Sequence, residues 1–594
     1  HVRSRRQRQM CIRDSRDGQS LEDVRQLLLA QVESIKKGEF DDWMIDAVVR
    51  SNKKDLMSQM EANWIRAYLM SDAFILKQDW KKMVTRYDRM QKITKAELSG
   101  WAKEKFQNNY VAVNKVKGEK NVAKVDKPQI TEVTINRDQS SDFFNKINGI
   151  DGSRMTPMFV DFKEAITTDK IGGKVPVNYL HNDVNELYSM YYLFELGSFN
   201  DKLIPLAFDY LPYLGTNDMN AADVQKEMFK LGLGFRVFSS DDRSYIIVDG
   251  LEENFEEGVA FFENLLNNVV VDEKSYEEMV RGMLKKRSDK KLNKGQILFR
   301  GMSAYAKYGP NNPFNDVTSE VELNSVNPQD LVDMLKSITD YEHRVLFYGP
   351  QELSTVKTVL EKHHIVPASF TTIPAAKKYP EIETSKNKVY FAEYDMVQTE
   401  LMMYHRGEKM NLEIMPAAKI FGEYFGGGLS SIVFQEIRES RALAYSAYAG
   451  FTSPEKPEYH HYVKGYIGTQ ANKLGDATNA LLELMSALPR ADQQFEQSKL
   501  SAQKQIETNR TTGENILWSY ETAKDRGIDY DMNSKIYPEV KEMTFDDLQN
   551  FFDSNVKDKT YTYLVIGKKE EMDMKALDAL GPVEELSLEQ IFGY

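Results

Sequence analysis

Apolar and polar positions recur along this chain in one arrangement. Three stretches open with a helix-start pair, Thr94 with Glu97, Asn327 with Asp330 and Thr544 with Asp547. A cap oxygen accepts from an orphan backbone N–H, and the acid three residues later reaches back. Each pair leads into helix-period apolar residues and then a β-rich run: "YVAVNKV", "RVLFYG" and "TYTYLVIG". Further strands are predicted at "KVPVNYL", "SYIIVDG", "KVYFAEYD" and "HHYVKGYIG", with long helical patterns between them.

The arrangement is an internal repeat. Gly197 falls on Gly407, Ile204 on Ile414, Ala207 on Ala417, Gln225 on Gln435, Leu233 on Leu443 and Phe235 on Tyr445, always 210 residues apart. Two complete units follow, 175–370 and 380–594, and 16–125 supplies the back half of another. The segment 126–174, rich in Lys, Asp and Thr, reads as a linker. Strands first, helices in the middle and a returning strand predict an α+β fold, a mostly antiparallel sheet packed on one side by helices.

Composition narrows the partners. The net charge of −13 argues against nucleic acid or an anionic membrane. No apolar run approaches the roughly 18 residues that span a bilayer. Cys11 is the sole cysteine, so neither a disulfide framework nor a thiolate metal site is expected. The Arg-rich start "HVRSRRQRQMCIRDSR" is unlike the remainder. Residues 1–15 read as non-native, translated sequencing-adapter read-through ahead of a truncated gene, and are excluded from fold reasoning. A basic tail or targeting segment is the alternative. The compartment is open, with a bacterial periplasm preferred over cytoplasm.

The candidate chemistry sits in "FGGGLSSIVFQEIRESRALAYSAYAG", residues 425–450. A glycine triplet, Gly426, Gly427 and Gly428, permits close backbone approach. Arg438 and Tyr445 follow, two helical turns apart. A phosphate loop is a poor reading, because no Lys-Ser/Thr follows at the required place. Glu436 and Glu439 read as surface acids, and Arg441 is a weaker alternative to Arg438.

This stretch, with the three closing elements, resembles the insulinase/pitrilysin family of zinc metallopeptidases. The resemblance covers nearly everything from about residue 20 onward. It implies a clamshell of four related domains in two halves, of which this chain holds one half and part of the other. It also implies peptide substrates enclosed in a chamber, with H-x-x-E-H in the first domain binding zinc. An Arg and a Tyr from the last domain match Arg438 and Tyr445, as substrate-contacting and oxyanion-stabilising groups. The preceding unit has Met228 and Phe235 at the same register, which predicts a structural, inactive domain.

None of the eight histidines, 1, 181, 343, 363, 364, 405, 460 and 461, forms H-x-x-E-H. The adjacent pairs read as surface or strand-edge residues, and His405 is expected on a helix. No metal ligand is therefore expected in this chain. Zinc belongs to the intact parent, through a missing N-terminal domain in cis or a zinc-bearing subunit in trans. A non-catalytic partner or scaffold subunit is the alternative function.

Overall fold

The computed structural model describes residues 19–114, 141–150 and 155–594. The basic start with Cys11, the end of "YVAVNKV" and part of the expected linker lie outside these residues.

Two six-stranded sheets dominate. The first contains β1 (Thr167–Ile171), β2 (Val175–His181), β3 (Leu187–Phe194), β4 (Gly234–Ser239), β5 (Ser244–Leu251) and β6 (His343–Gly349), in the order β1-β2-β6-β3-β5-β4. The second contains β7 (Lys388–Glu393), β8 (Gln398–Lys409), β9 (Ser446–Thr452), β10 (His460–Gln470), β11 (Thr562–Gly567) and β12 (Val583–Glu585), in the order β12-β7-β11-β8-β10-β9. In each sheet the returning strand, β6 or β11, lies parallel to one neighbour and antiparallel to the other. Both returning strands are covered on two faces, which is why they read as near-continuous apolar runs. The α+β expectation is borne out.

Each sheet buries one face under its own helices. The first core gathers Tyr192, Phe194, Phe208, Val248 and Phe262, and the second Phe391, Phe421, Phe425, Val463 and Leu481. The other face of each sheet is covered by a segment from the opposite half. Leu517 and Ala523 of the helix Asn515–Asp525 pack on Leu180, Tyr191 and Leu346 of the first sheet. Ile297, Leu298 and Met302 pack on Met402, Tyr466 and Ile566 of the second. Polar groups seal the first crossing. Arg344 pairs with the buried Glu521 and, at 2.6 Å, with Glu195, while Arg243 reaches Asp525 at 2.8 Å.

Several expectations are corrected. Residues 107–114, which include the start of "YVAVNKV", form no strand, and Val111 and Val113 are exposed, because no sheet among the described residues offers them a partner. The expected linker carries two short helices, Asp142–Asn148 and Phe162–Ala165, and the edge strand β1. His405 lies on β8, where its Nδ1 meets the Thr560 carbonyl oxygen at 2.9 Å. Asn327 caps its helix through Gln329 N–H, not through a reciprocal box, whereas Thr94 and Thr544 form the full box.

One histidine of each adjacent pair is not a surface group. His364 and His461 are buried. His364 Nδ1 lies 2.8 Å from Glu263 Oε1, and its Nε2 lies 3.0 Å from His343 Nε2. His343 Nδ1 meets the Tyr341 carbonyl oxygen at 2.7 Å, and Tyr192 donates to Glu263. A carbonyl closes one end and a carboxyl group the other. Burial and the neighbouring His364 hold His343 down at about 4.

Candidate active site

Glycine and aromatic residues shape the approach to the site. A helix from Met415 runs into a π-helical turn, Gly422–Gly426, whose widened ring brings Gly426 against β9. A Cβ at 426 would stand 1.8 Å from the Ala449 carbonyl oxygen, so only glycine fits. The close approach expected of this triplet is therefore to the chain's own strand at Gly426. Gly427 and Gly428 face open space, with nothing nearer than 3.8 Å to a Cβ at either.

Arg438 lies in a second π-helical segment, Phe434–Ser440, and Tyr445 immediately precedes β9. They do not share one helix. The helix stops at Ser440, and Ala442 takes left-handed backbone, φ 47°, which reverses the chain. Hydrogen bonds pin this turn: Leu443 N–H donates to the Ile437 carbonyl at 2.9 Å, and Lys473 Nζ donates to the Ala442 carbonyl at 3.1 Å. Tyr445 N–H then joins the sheet through the Gly468 carbonyl at 3.2 Å.

The reversal brings the two side chains together. The Arg438 guanidinium carbon lies 4.6 Å from the Tyr445 ring centroid and 4.8 Å from that of Phe434. Its Nε is 3.4 Å from Glu439 Oε1. Tyr445 is 69 % exposed, and among the described residues no hydrogen bond holds its hydroxyl. A cation sandwiched by two rings is fixed in orientation with donors to spare. Phe434, four residues before Arg438, was not singled out from sequence, although that spacing is a helix-neighbour signal. Arg441 is otherwise engaged, 3.6 Å from Glu436 and 3.0 Å from Glu483. Met228 and Phe235, at the corresponding register of the first sheet, pack into its core.

No group of three or more His, Cys, Asp or Glu side chains among the described residues could hold a metal ion. The donors present do not fit a zinc site. His343 and His364 face each other through Nε2 with no third ligand, and His460 is held by Glu381 at 2.6 Å. A cleft of about 650 Å³ opens beside His405, Arg406, Glu413 and Phe551, and neither Arg438 nor Tyr445 lines it.

Residues 326–506, which contain the glycine triplet, Arg438 and Tyr445, match the family described as "Peptidase M16 inactive domain". Over these residues the chain is similar to the inactive domains of insulinase-like peptidases. It is 22% identical over 327 residues to an "Uncharacterized zinc protease" of Rickettsia bellii, covering 51% of this chain and 71% of the relative. A protein of the same description from Rickettsia felis is 21% identical over 250 residues, with 40% of this chain and 57% of the relative covered. Among solved structures, a peptidase M16 inactive domain from Pseudomonas fluorescens aligns with a TM-score of 0.54 at 13% identity, over 69% of this chain and 99% of that one. The periplasmic protease PqqL from Escherichia coli aligns with a TM-score of 0.54 at 12% identity, over 92% of this chain and 63% of that one. The structural likenesses establish the shared fold. No helix among the described residues is long and apolar enough to cross a membrane.

Proposed function

We propose that this chain supplies the substrate-contacting part of an insulinase-like zinc endopeptidase acting on peptides enclosed in a chamber. The observation that carries the reading is the Arg438–Tyr445 stack, which holds a phenol hydroxyl out from the sheet with no hydrogen-bond partner among the described residues. When water adds to a peptide carbonyl, charge develops on its oxygen. A pre-oriented phenol O–H donating there stabilises that charge, by roughly 2.7–4 kcal/mol for one such donor. The Arg438 donors suit a neighbouring substrate carbonyl. Gly427 and Gly428 leave room for substrate backbone, and Gly426 serves the fold.

Since the described donors fit no zinc site, the metal named for the relatives is assigned to another domain in cis or to a subunit in trans. The 210-residue register and the common strand order support a duplicated unit whose first copy lacks the polar pair. A bacterial periplasm is the preferred compartment.

The purified chain is expected to show little peptidase activity with or without added zinc, and a metal-bearing partner domain is expected to restore turnover. Zinc-dependent turnover by this chain alone would contradict the assignment. The match to a domain described as inactive favours one second reading, a non-catalytic partner or scaffold subunit. In that case the restored rate would not depend on Arg438 or Tyr445.

A further inference from the structure

A second cleft, of about 660 Å³, lies among the helices of the first sheet, and neither Arg438 nor Tyr445 lines it. One wall is the helix Glu273–Lys291, whose Met279, Gly282, Met283, Lys286, Arg287 and Lys290 fall on one side at helical spacing. The helix Leu203–Tyr210 and the loop 313–318 form other walls. Leu206, Met279 and Leu323 are buried and give the cleft an apolar floor. At Gly282 an added Cβ would meet nothing within 4 Å, so this side of the helix leaves room.

Arg287 is the group that this packing leaves unanswered. Its guanidinium carbon lies 4.9 Å from the centroid of the Tyr594 ring, and the Tyr594 hydroxyl donates to the Arg287 carbonyl at 3.5 Å. The Nη1 atom is buried without a hydrogen-bond partner, and among the described residues no hydrogen bond or ion pair engages the side chain. Burial holds the group below the usual arginine range, against the electrostatic pull of Tyr594 and Glu320. A guanidinium keeps its charge when desolvated, so a half-buried one without a counter-ion carries a cost that a bound anion offsets. A ring on its face leaves the in-plane donors for that anion, and their fork matches a carboxylate.

The other charges around the cleft select the kind of anion. Asp209, Asp241, Glu278 and Asp316 line it together with Lys202, Lys286, Arg287 and Lys290, so it has no net positive charge to hold a dianion. Asp316 is taken by Lys202, Lys377 and Tyr379, and Asp241 accepts from Ser198 at 3.3 Å. Desolvation raises the Asp209 carboxyl, against the pull of Lys286 and Lys290. A single carboxylate on Arg287 fits this balance, and a phosphate monoester does not.

We propose that this cleft binds a small amphipathic carboxylate, its head on Arg287 and its apolar body against Leu206, Met279 and Met283. The site is separate from the Arg438–Tyr445 stack and stands or falls without it.

The test is isothermal titration calorimetry of the 594-residue chain with octanoate and with octanol, which shares the chain length and lacks the charge. Octanoate is expected to bind about tenfold more tightly than the alcohol. Arg287→Gln should remove that difference, and Arg287→Lys should keep part of it. Because Arg287→Gln removes an unpaired, half-buried charge, its thermal unfolding midpoint should be no lower than that of the parent, and a lower one would show that a partner had been lost. Gly282→Leu, a change that favours the helix, should block octanoate by filling the cleft. Equal affinity for the two probes, binding of neither, or octanoate binding unchanged in Arg287→Gln or in Gly282→Leu would overturn the site.

Discussion

At the turn that leads into the outer edge strand, the two sheets part company. In the first, the helix Ala221–Leu231 ends on Gly232, φ 64°, and the chain enters β4 with Phe235 against Phe262 at 5.6 Å. In the second, the residue 210 positions later is Ala442, φ 47°, and the chain enters β9 with Tyr445 exposed against Arg438. The path is the same, but one turn is relaxed and filled with apolar contacts. The other holds a non-glycine residue in left-handed backbone and turns polar groups outward. Fold supplies a position, and what stands there decides whether it serves packing or chemistry. Strain of this kind gathers where an arrangement is held for another purpose.

The contrast can be broken by substitution. Phe235→Ala should cost about 3 kcal/mol in chemical denaturation, as loss of a packed aromatic ring. Tyr445→Ala should change stability by no more than about 0.5 kcal/mol. Comparable losses at the two positions would mean that Tyr445 is a packing residue.

Acid should act on the first sheet through His343. His343 is neutral in the fold at about 4, against 6.5 for the free ring, so the unfolded chain binds its proton first. Its contribution is complete above pH 6.5 and is lost as pH falls toward 4, about 1.4 kcal/mol for each unit of that gap. The protection factor of β6 against hydrogen exchange, corrected for the intrinsic rate at each pH, should therefore fall on acidification, and His343→Phe should flatten the response. A pH-independent protection factor would contradict the buried-neutral assignment.

Gly426→Ala should cost about 2 kcal/mol, because its methyl would enter the Ala449 carbonyl, while Gly428→Ala should be close to neutral. The smallest change is expected at the strained turn. Ala442→Gly should raise stability by about 1 kcal/mol by relieving the left-handed cost, and an unchanged midpoint would show that the turn stores no strain.

Local signals were legible in the sequence. The Thr94 and Thr544 caps depend on three or four residues, and the apolar returning strands declare themselves by composition. Signals that depend on a partner were not. Residues 110–114 have strand composition without a sheet to join, and β1, "TTDKI", is a polar edge strand that resembles a linker. His364 is buried because Glu263 and His343 meet it from 101 and 21 residues away, which no local pattern reveals. The Arg438–Tyr445 pair was visible as residue types. The turn at Ala442 was not, because alanine carries no sign of left-handed backbone. Arg287 reads as one charge among many on "RGMLKKRSDKK", and its lack of a partner shows only in the cleft around it.

The central claim is that Tyr445 acts on the reacting carbonyl. Its most direct test is kcat and KM for Tyr445→Phe in an assembly of this chain with a metal-bearing domain that restores turnover. The account predicts a fall in kcat of about 10²–10³-fold with KM little changed, because the lost hydrogen bond forms mainly in the transition state. An unchanged kcat in a folded, substrate-binding variant would contradict it.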